Sequence, residues 1–352
     1  MTDRSIPCRY LSQEDLLRSG CLDPRLAMDA AATVMRGFRE GRVLFPDKIV
    51  QIFDEATQSR INCLPATLLD EQVCGVKWVS VFPPNPERFG LQNLTAVIVL
   101  SEIERGFPIA FMEGTLCSNL RVAAMGGLAA EHLARDDAST IGFIGAGEQA
   151  KMHLLAMAAV RPSLRTCRVG AKTDDEAGQF VEQMAPLLPE MTFVATGPDL
   201  AAAVDGADIV VTATSAQAPL LRAEWLAPGV FYSHIGGWED EYAVAELCDK
   251  IVCDEWETVK HRTQTLSRMY AEGRLTDDDI HADLVEIVLG DKPGRESPDE
   301  RIYFNAVGLA YVDVAIANAM YRRALDRGAG TELTIQETTI FEHEELADWL
   351  HR

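Results

Sequence analysis

The sequence predicts an α/β protein whose second half is a doubly wound parallel sheet. Three observations carry this. From residue 136 onward, apolar strand-like runs at 140–144, 166–170, 191–195, 207–212, 230–235 and 250–254 alternate with helical patterns at 148–160, 174–188 and 199–204. Alternation at this spacing builds parallel βαβ units with right-handed crossovers. The first run leads straight into "GAGEQA", so that Gly145, Gly147 and Ala150 satisfy G-x-G-x-x-G/A where a strand meets a helix. Before residue 136 the rhythm differs: β-type segments are separated by turn-rich stretches such as "PPNPERFG", which predicts a mixed or antiparallel sheet.

Taken in order, the chain opens with two helices. In "LSQEDLLRSG", Ser12 is placed to cap the first, Asp15 stands three residues later and Gly20 ends it. In "DPRLAMDAAATVMRGFREG", Asp23 is the cap, Pro24 takes the first helical position and Gly41 terminates. Strand patterns follow at 48–54, 73–82, 94–100 and 108–113, then an Ala- and Gly-rich helix at 115–135. Beyond the alternating region, helices are expected near 254–271 and 282–290, a long one at 308–328, and an amphipathic tail at 342–352.

The bulk numbers are those of a soluble globular protein, with 47% hydrophobic and 24% charged residues over a length of 352. A formal net charge of −22 argues against nucleic acid or an anionic membrane as partner. An anionic small ligand would need a local nest of positive groups. The eight cysteines are scattered with no C-x-x-C pair, which predicts reduced thiols and neither a disulfide scaffold nor a metal site. No apolar run approaches the ~20 residues of a membrane span, and the start is too polar for a signal peptide. The expected location is cytoplasmic.

The glycine turn supplies a specific expectation. Gly145 permits the tight turn, Gly147 lets a pyrophosphate approach the backbone, and Ala150 lets the helix pack on the sheet. Helix-start N–H groups then face the phosphates. This is a Rossmann-type dinucleotide site, with Ala146 part of the turn. The acidic residue that would bind an NAD ribose is not at the second strand tip; Ala171 and Lys172 stand there, and the first acid is Asp174. A lysine in that place favours NADP(H) over NAD(H), the other reading being that Lys172 is a solvated charge and Asp174 reaches the ribose.

From about Leu11 to Leu333 the chain resembles the ornithine cyclodeaminase/μ-crystallin family of NAD(P)-dependent amino-acid enzymes. The segments that carry the likeness are "LPATLLDEQVCGVKWVSVFPPNPERFGLQNLTAVIVL", "FMEGTLCSNLRVAAMGGLAAEHLA", "IGFIGAGEQA", "ADIVVTATSAQAPL" and "GDKPGRESPDERIYFNAVGLAYVDVAIANAMY". "DKIVCDEWETVKHRTQTL", with Lys48, brings it nearest to the branch that oxidises N-(2-amino-2-carboxyethyl)glutamate. The resemblance implies a Rossmann domain at 126–308 inserted in a split α+β domain, 1–125 and 309–352, for substrate binding and dimerisation. It also implies a homodimer.

Residue by residue, the family's substrate-carboxylate lysine falls on Lys77 and its arginine on Arg121, with Lys48 and Asn93 as further substrate contacts. By itself Lys77 in "GVKWVS" is either an outward strand residue or one held in a polar cleft. Lys77, Glu239 and Asp240 are the candidates for moving a proton. The likeness implies cofactor contacts at Glu148, Gln149, Thr212, Thr214, Val307 and Gly308 beside the glycine turn, and Asp313 is read as structural. Two positions depart from the cyclodeaminases: Asn62 replaces a catalytic glutamate, and Trp238 replaces an aspartate after Gly237. His234, near that loop, is read as structural. The expected activity is therefore hydride transfer at an amino-acid C–N bond, on an amino acid, a 2-oxo acid or its imine. A cyclodeaminase releasing ammonia and a non-enzymatic binder of NADPH and a small ligand are the alternatives.

Overall fold

Ser12 caps the helix Gln13–Arg18 as the sequence demands: its Oγ accepts from the Asp15 N–H, and the Asp15 carboxylate accepts from the Ser12 N–H at 3.0 Å. The computed structural model describes residues 5–351, so the first four residues of the polar start and Arg352 of the tail lie outside the described residues. The chain divides into two units. The first takes Met1–Leu26, Glu40–Ser118 and Ala310–Arg352; the second takes Ala27–Arg39 and Asn119–Leu309.

In the first unit an eight-stranded sheet runs in the order Thr331–Gln336, Ile6–Leu11, Pro108–Glu113, Leu94–Glu102, Val73–Val81, Ser59–Leu68, Val43–Leu44, with Ile49–Asp54 also pairing to Ser59–Leu68. All its pairings are antiparallel except Ile6–Leu11 with Pro108–Glu113. The four strands read from the sequence are present. Those at Ile6–Leu11, Ser59–Leu68 and Thr331–Gln336 were not legible, since Pro7 and Pro65 interrupt two of them and polar residues alternate in the third. Val73, Gly75, Lys77 and Val79 lie on the buried face of their strand, with Trp78 on the other. The helix Ala310–Asp326 packs on that face. It comes close because Gly75 has no side chain: a Cβ there would stand 2.9 Å from Leu100 Cδ2 and 3.0 Å from Val314 Cγ1.

The second unit holds an eight-stranded sheet, Thr192–Gly197, Thr166–Gly170, Thr140–Ile144, Ile209–Thr212, Phe231–His234, Ile302–Asn305, Lys250–Cys253 and Ala282–Asp283, parallel throughout. The predicted class is correct, and the order reverses direction between Thr140–Ile144 and Ile209–Thr212, as a doubly wound sheet does. The strand Ile302–Asn305 is an addition. Four residues after a long polar loop leave no period to read, yet it sits inside the sheet between two predicted strands. The helix expected at 254–271 is two, Trp256–Val259 and Thr265–Ala271, and the tail forms only Leu346–Leu350. Residues 27–39 and 119–125, expected with the substrate domain, fall in this unit. The reason is a close helix pair: a Cβ on Gly127 would lie 2.6 Å from Met28 Sδ.

Among the described residues no helix is long and apolar enough to cross a membrane. The eight cysteines remain thiols, five of them buried.

Candidate active site

Because every strand of the second unit's sheet points the same way, the loops at their carboxyl ends share one edge, where doubly wound sheets bind ligands. The glycine turn lies there. Gly145 has φ 111°, and a Cβ on it would stand 2.5 Å from the Ala213 carbonyl oxygen, so only glycine fits. Nothing lies within 4 Å of the Cβ position of Gly147, which leaves backbone open to an approaching group. Gly147 precedes the helix Glu148–Val160, whose first N–H groups are free to meet an anion. A cavity of about 710 Å³ opens over this turn, lined among others by Gly145, Ala146, Gly147, Lys172 and Thr214. These residues fit a dinucleotide: a nest for the pyrophosphate, and walls from Phe180, Pro198 and Leu200 for an adenine.

Other expected cofactor contacts are placed differently. Glu148 is exposed and pairs with Lys151 at 2.6 Å; Gln149 donates to Asn119 Oδ1 at 3.1 Å; Ala150 is buried, packing helix on sheet. Thr212 is wholly buried, its hydroxyl bonded to Glu239 and Tyr232, each at 2.9 Å, which assigns it to the protein interior rather than to a ligand. Asp174 is turned toward Gly197, where an added Cβ would overlap its carboxylate, while Lys172 and Glu176 line the cavity. The Lys172 backbone N–H donates to Glu176 at 3.2 Å.

Glu239 and Asp240, expected as proton carriers, are 0% exposed and engaged by neighbouring donors. Glu239 accepts from the Thr214 N–H at 2.5 Å, the Thr214 hydroxyl at 2.6 Å, the Thr212 hydroxyl at 2.9 Å and the Gly236 N–H at 2.7 Å. One carboxylate thus joins two carboxyl-edge loops, 212–214 and 236–239. Asp240 accepts from Thr265 at 2.5 Å and Tyr303 at 2.9 Å, and burial raises its pKa above the ordinary carboxylate value. His234 is buried as expected, its Nδ1 bonded to Asn305 Oδ1 at 2.7 Å. This buried network ties the loops at the carboxyl edge together. Glu239→Ala is therefore expected to lose roughly 3 kcal/mol or more of stability by stranding buried donors. Thermal unfolding checks this, and an unchanged midpoint would return Glu239 to the list of catalytic candidates.

In the first unit, Lys77 is held inside, not turned to solvent. Its Nζ lies 2.7 Å from Asp313 Oδ1, with side-chain exposures of 3% and 0%. Asp313, read from sequence as structural, is the partner that reading missed. A signal was present: Lys77 is the only charge in the strand "VCGVKWVSV", and Asp313 is the only one in the helix run "AYVDVAIANAMY". Two lone charges in apolar elements call for each other.

Arg121 belongs to the second unit. Its guanidinium rests on Gly308, so closely that a Cβ there would overlap it, and Gly308 has φ 95°. Gly308 follows the strand Ile302–Asn305 and so stands at the carboxyl edge. Asp254, after the neighbouring strand, accepts from the Val307 N–H at 2.9 Å and the Gly308 N–H at 2.7 Å. Burial raises its pKa to about 6 against the pull of those N–H groups and of Arg121.

Lys48 and Asn93 are both exposed. Ile49 pairs with Cys63, and Leu64 with Lys77, so Lys48 stands level with Lys77, two strands over and ~10 Å away between backbones. Asn93 is farther: Leu94 pairs with Val81, which sets it about 17 Å along the strand from Lys77. Asn62 lies on the buried face beside Lys77, and its Oδ1 has no hydrogen-bond partner. A buried acceptor left so is uncommon and suits a ligand donor.

The sequence profile of the ornithine cyclodeaminase/mu-crystallin family matches residues 19–328. N-((2S)-2-amino-2-carboxyethyl)-L-glutamate dehydrogenase of Staphylococcus aureus is 28% identical over 93% of this chain and 98% of its own length. Among solved structures, Thermococcus litoralis Δ1-pyrroline-2-carboxylate reductase with NADH and L-proline matches with TM-score 0.86 and 30% identity, over 92% of this chain and 99% of that one. An archaeal alanine dehydrogenase dimer with bound NAD matches with TM-score 0.85 and 30% identity, over 94% and 100%.

Proposed function

The chain belongs to the ornithine cyclodeaminase/mu-crystallin family, and we propose on that premise that it is an NAD(P)-dependent oxidoreductase acting on an amino-acid C–N bond. It either reduces an imine or oxidises an N-substituted amino acid. The observation that carries this reading is the buried Lys77–Asp313 pair. An ion pair that deep is a poor way to stabilise a fold, since apolar residues of similar volume do as well or better. A lysine kept there at that expense is kept for chemistry.

Bound over the glycine turn, the nicotinamide nucleotide would supply the hydride for imine reduction or accept it in the oxidative direction. The chain supplies the rest. Arg121 binds the substrate carboxylate bidentately and so fixes its Cα. Lys77, oriented by Asp313, donates to the substrate nitrogen or receives its proton. Asn62 Oδ1 accepts from the same N–H region. As an amide it cannot take a proton as a carboxylate would, which disfavours the cyclodeaminase reaction. Lys48 offers a second cation for a substrate with a further carboxylate, as an N-carboxyalkyl amino acid has. The first unit then serves substrate binding and, through the exposed apolar residues Tyr10, Trp78 and Phe111 of its sheet, assembly of a homodimer.

The test follows nicotinamide absorbance with NADPH or NADH, ammonia or methylamine, and a panel of 2-oxo acids, then runs N-carboxyalkyl amino acids in the oxidative direction. Turnover with one substrate class supports the proposal. Ammonia release from ornithine with no net nicotinamide change would replace it with the cyclodeaminase reading, and tight nucleotide binding without any turnover with the binder reading. NADP(H) is the proposed preferred form, because Lys172 lines the cavity. Lys172→Glu should raise KM for NADPH by about tenfold or more while sparing NADH; equal effects on both would remove Lys172 as a phosphate reader.

A further inference from the structure

We infer that Asp254 is a positioning residue that registers the substrate-binding arginine against the loop at the end of the neighbouring strand. The inference rests on the reading above that Arg121 takes the substrate carboxylate. Cys253 pairs with Asn305, and the Asp254 N–H donates to the Asn305 carbonyl at 2.9 Å, so the ladder runs one step past the strand ends. That step sets the Asp254 carboxylate under the turn that follows. Its Oδ2 takes both the Val307 and Gly308 N–H groups, and its Oδ1 takes the Glu255 N–H at 3.0 Å. At the Cβ position of Gly308 lies the Arg121 guanidinium, held against a residue with no Cβ and near enough to act electrostatically on Asp254.

Hydrogen bonding to the turn does not by itself call for a carboxylate. An asparagine carbonyl oxygen could serve the Val307 and Gly308 N–H groups without burying a charge, although its NH2 would give up the bond from the Glu255 N–H. What aspartate adds is negative charge near Arg121. That charge holds the guanidinium over Gly308 in one direction, and its planar fork then meets a carboxylate edge-on, through N–H groups in its own plane. The same group fixes the turn, so substrate anchor and turn move together or not at all.

The experiment uses the full-length protein and the substrate that the panel above identifies. Asp254→Asn keeps the turn and removes the charge: KM for the carboxylate substrate should rise about 10- to 100-fold, with kcat within a few-fold and the NADPH dissociation constant unchanged. Asp254→Ala should also loosen the turn and weaken NADPH binding severalfold. Gly308→Ala, which leaves Asp254 intact and pushes on Arg121 directly, should reproduce the KM effect; it also keeps the inference testable if the aspartate variants do not fold. A wild-type KM in Asp254→Asn, or a loss in kcat alone, overturns the inference and leaves the proposed function standing. A wild-type protein that turns over nothing refutes the proposed function. The Asp254 inference, which rests on that function, falls with it, whereas a wild-type KM in Asp254→Asn overturns the inference alone.

Discussion

Lys77→Met is expected to lower kcat by ~100-fold or more and to lower the melting temperature in the same protein. The two effects have separate causes. Activity falls because the group that donates to the substrate nitrogen is gone, and general acid–base contributions are worth ~10²–10⁴-fold. Stability falls because Asp313, at 0% exposure, loses its 2.7 Å ion pair with Lys77, and breaking a buried pair from one side costs about 3–5 kcal/mol. Lys77→Met with Asp313→Leu separates them. The double variant should regain most of the lost stability, since an apolar pair replaces an ionic one under the close-packed helix, yet stay inactive. Thermal unfolding and nicotinamide absorbance on the same samples check both. Activity within a few-fold of wild type in either variant would place the proton elsewhere. Asp313→Asn tests orientation: it should keep the packing and lose part of kcat, because Lys77 is then held by a neutral partner.

Gly145→Ala is expected to weaken NADPH and NADH binding by roughly 10- to 100-fold. Two penalties coincide at this position. A backbone held at φ 111° is strained for any residue with a side chain, at a cost of about 1–3 kcal/mol. The added methyl would also stand 2.5 Å from the Ala213 carbonyl oxygen, a backbone atom that cannot rotate away as a side chain could. Either the 145–147 turn or the 213–214 loop must move, and both line the cavity. Gly147→Ala is the control, because its Cβ position is open: it should disturb binding only through what a methyl there denies the approaching phosphate. Titration of nucleotide fluorescence measures both. Binding unchanged in Gly145→Ala would mean that this turn does not hold the nucleotide.

Local sequence determined the parts of this protein whose physics is local. The cap at Ser12, the glycine turn at Gly145 and Gly147, and the alternation of strand and helix from residue 136 are set by dihedral preference and hydrophobic period within a few residues. The family was legible too, because order and spacing of whole segments survive when pocket walls change. Lys77 and Arg121 were named as site candidates by that route alone. Only the tertiary structure decided what each charge does. The sequence offers Glu239 and Asp240 as candidates for moving a proton and Asp313 as a structural residue, with no sign of what surrounds any of them. Packing surrounds Glu239 with four donors and gives Asp240 two hydroxyls, while Asp313 is set against Lys77 because Gly75 lets a helix distant in sequence come near. A carboxylate's role follows from the donors around it and from its access to water, and both are supplied by residues that lie far away along the chain.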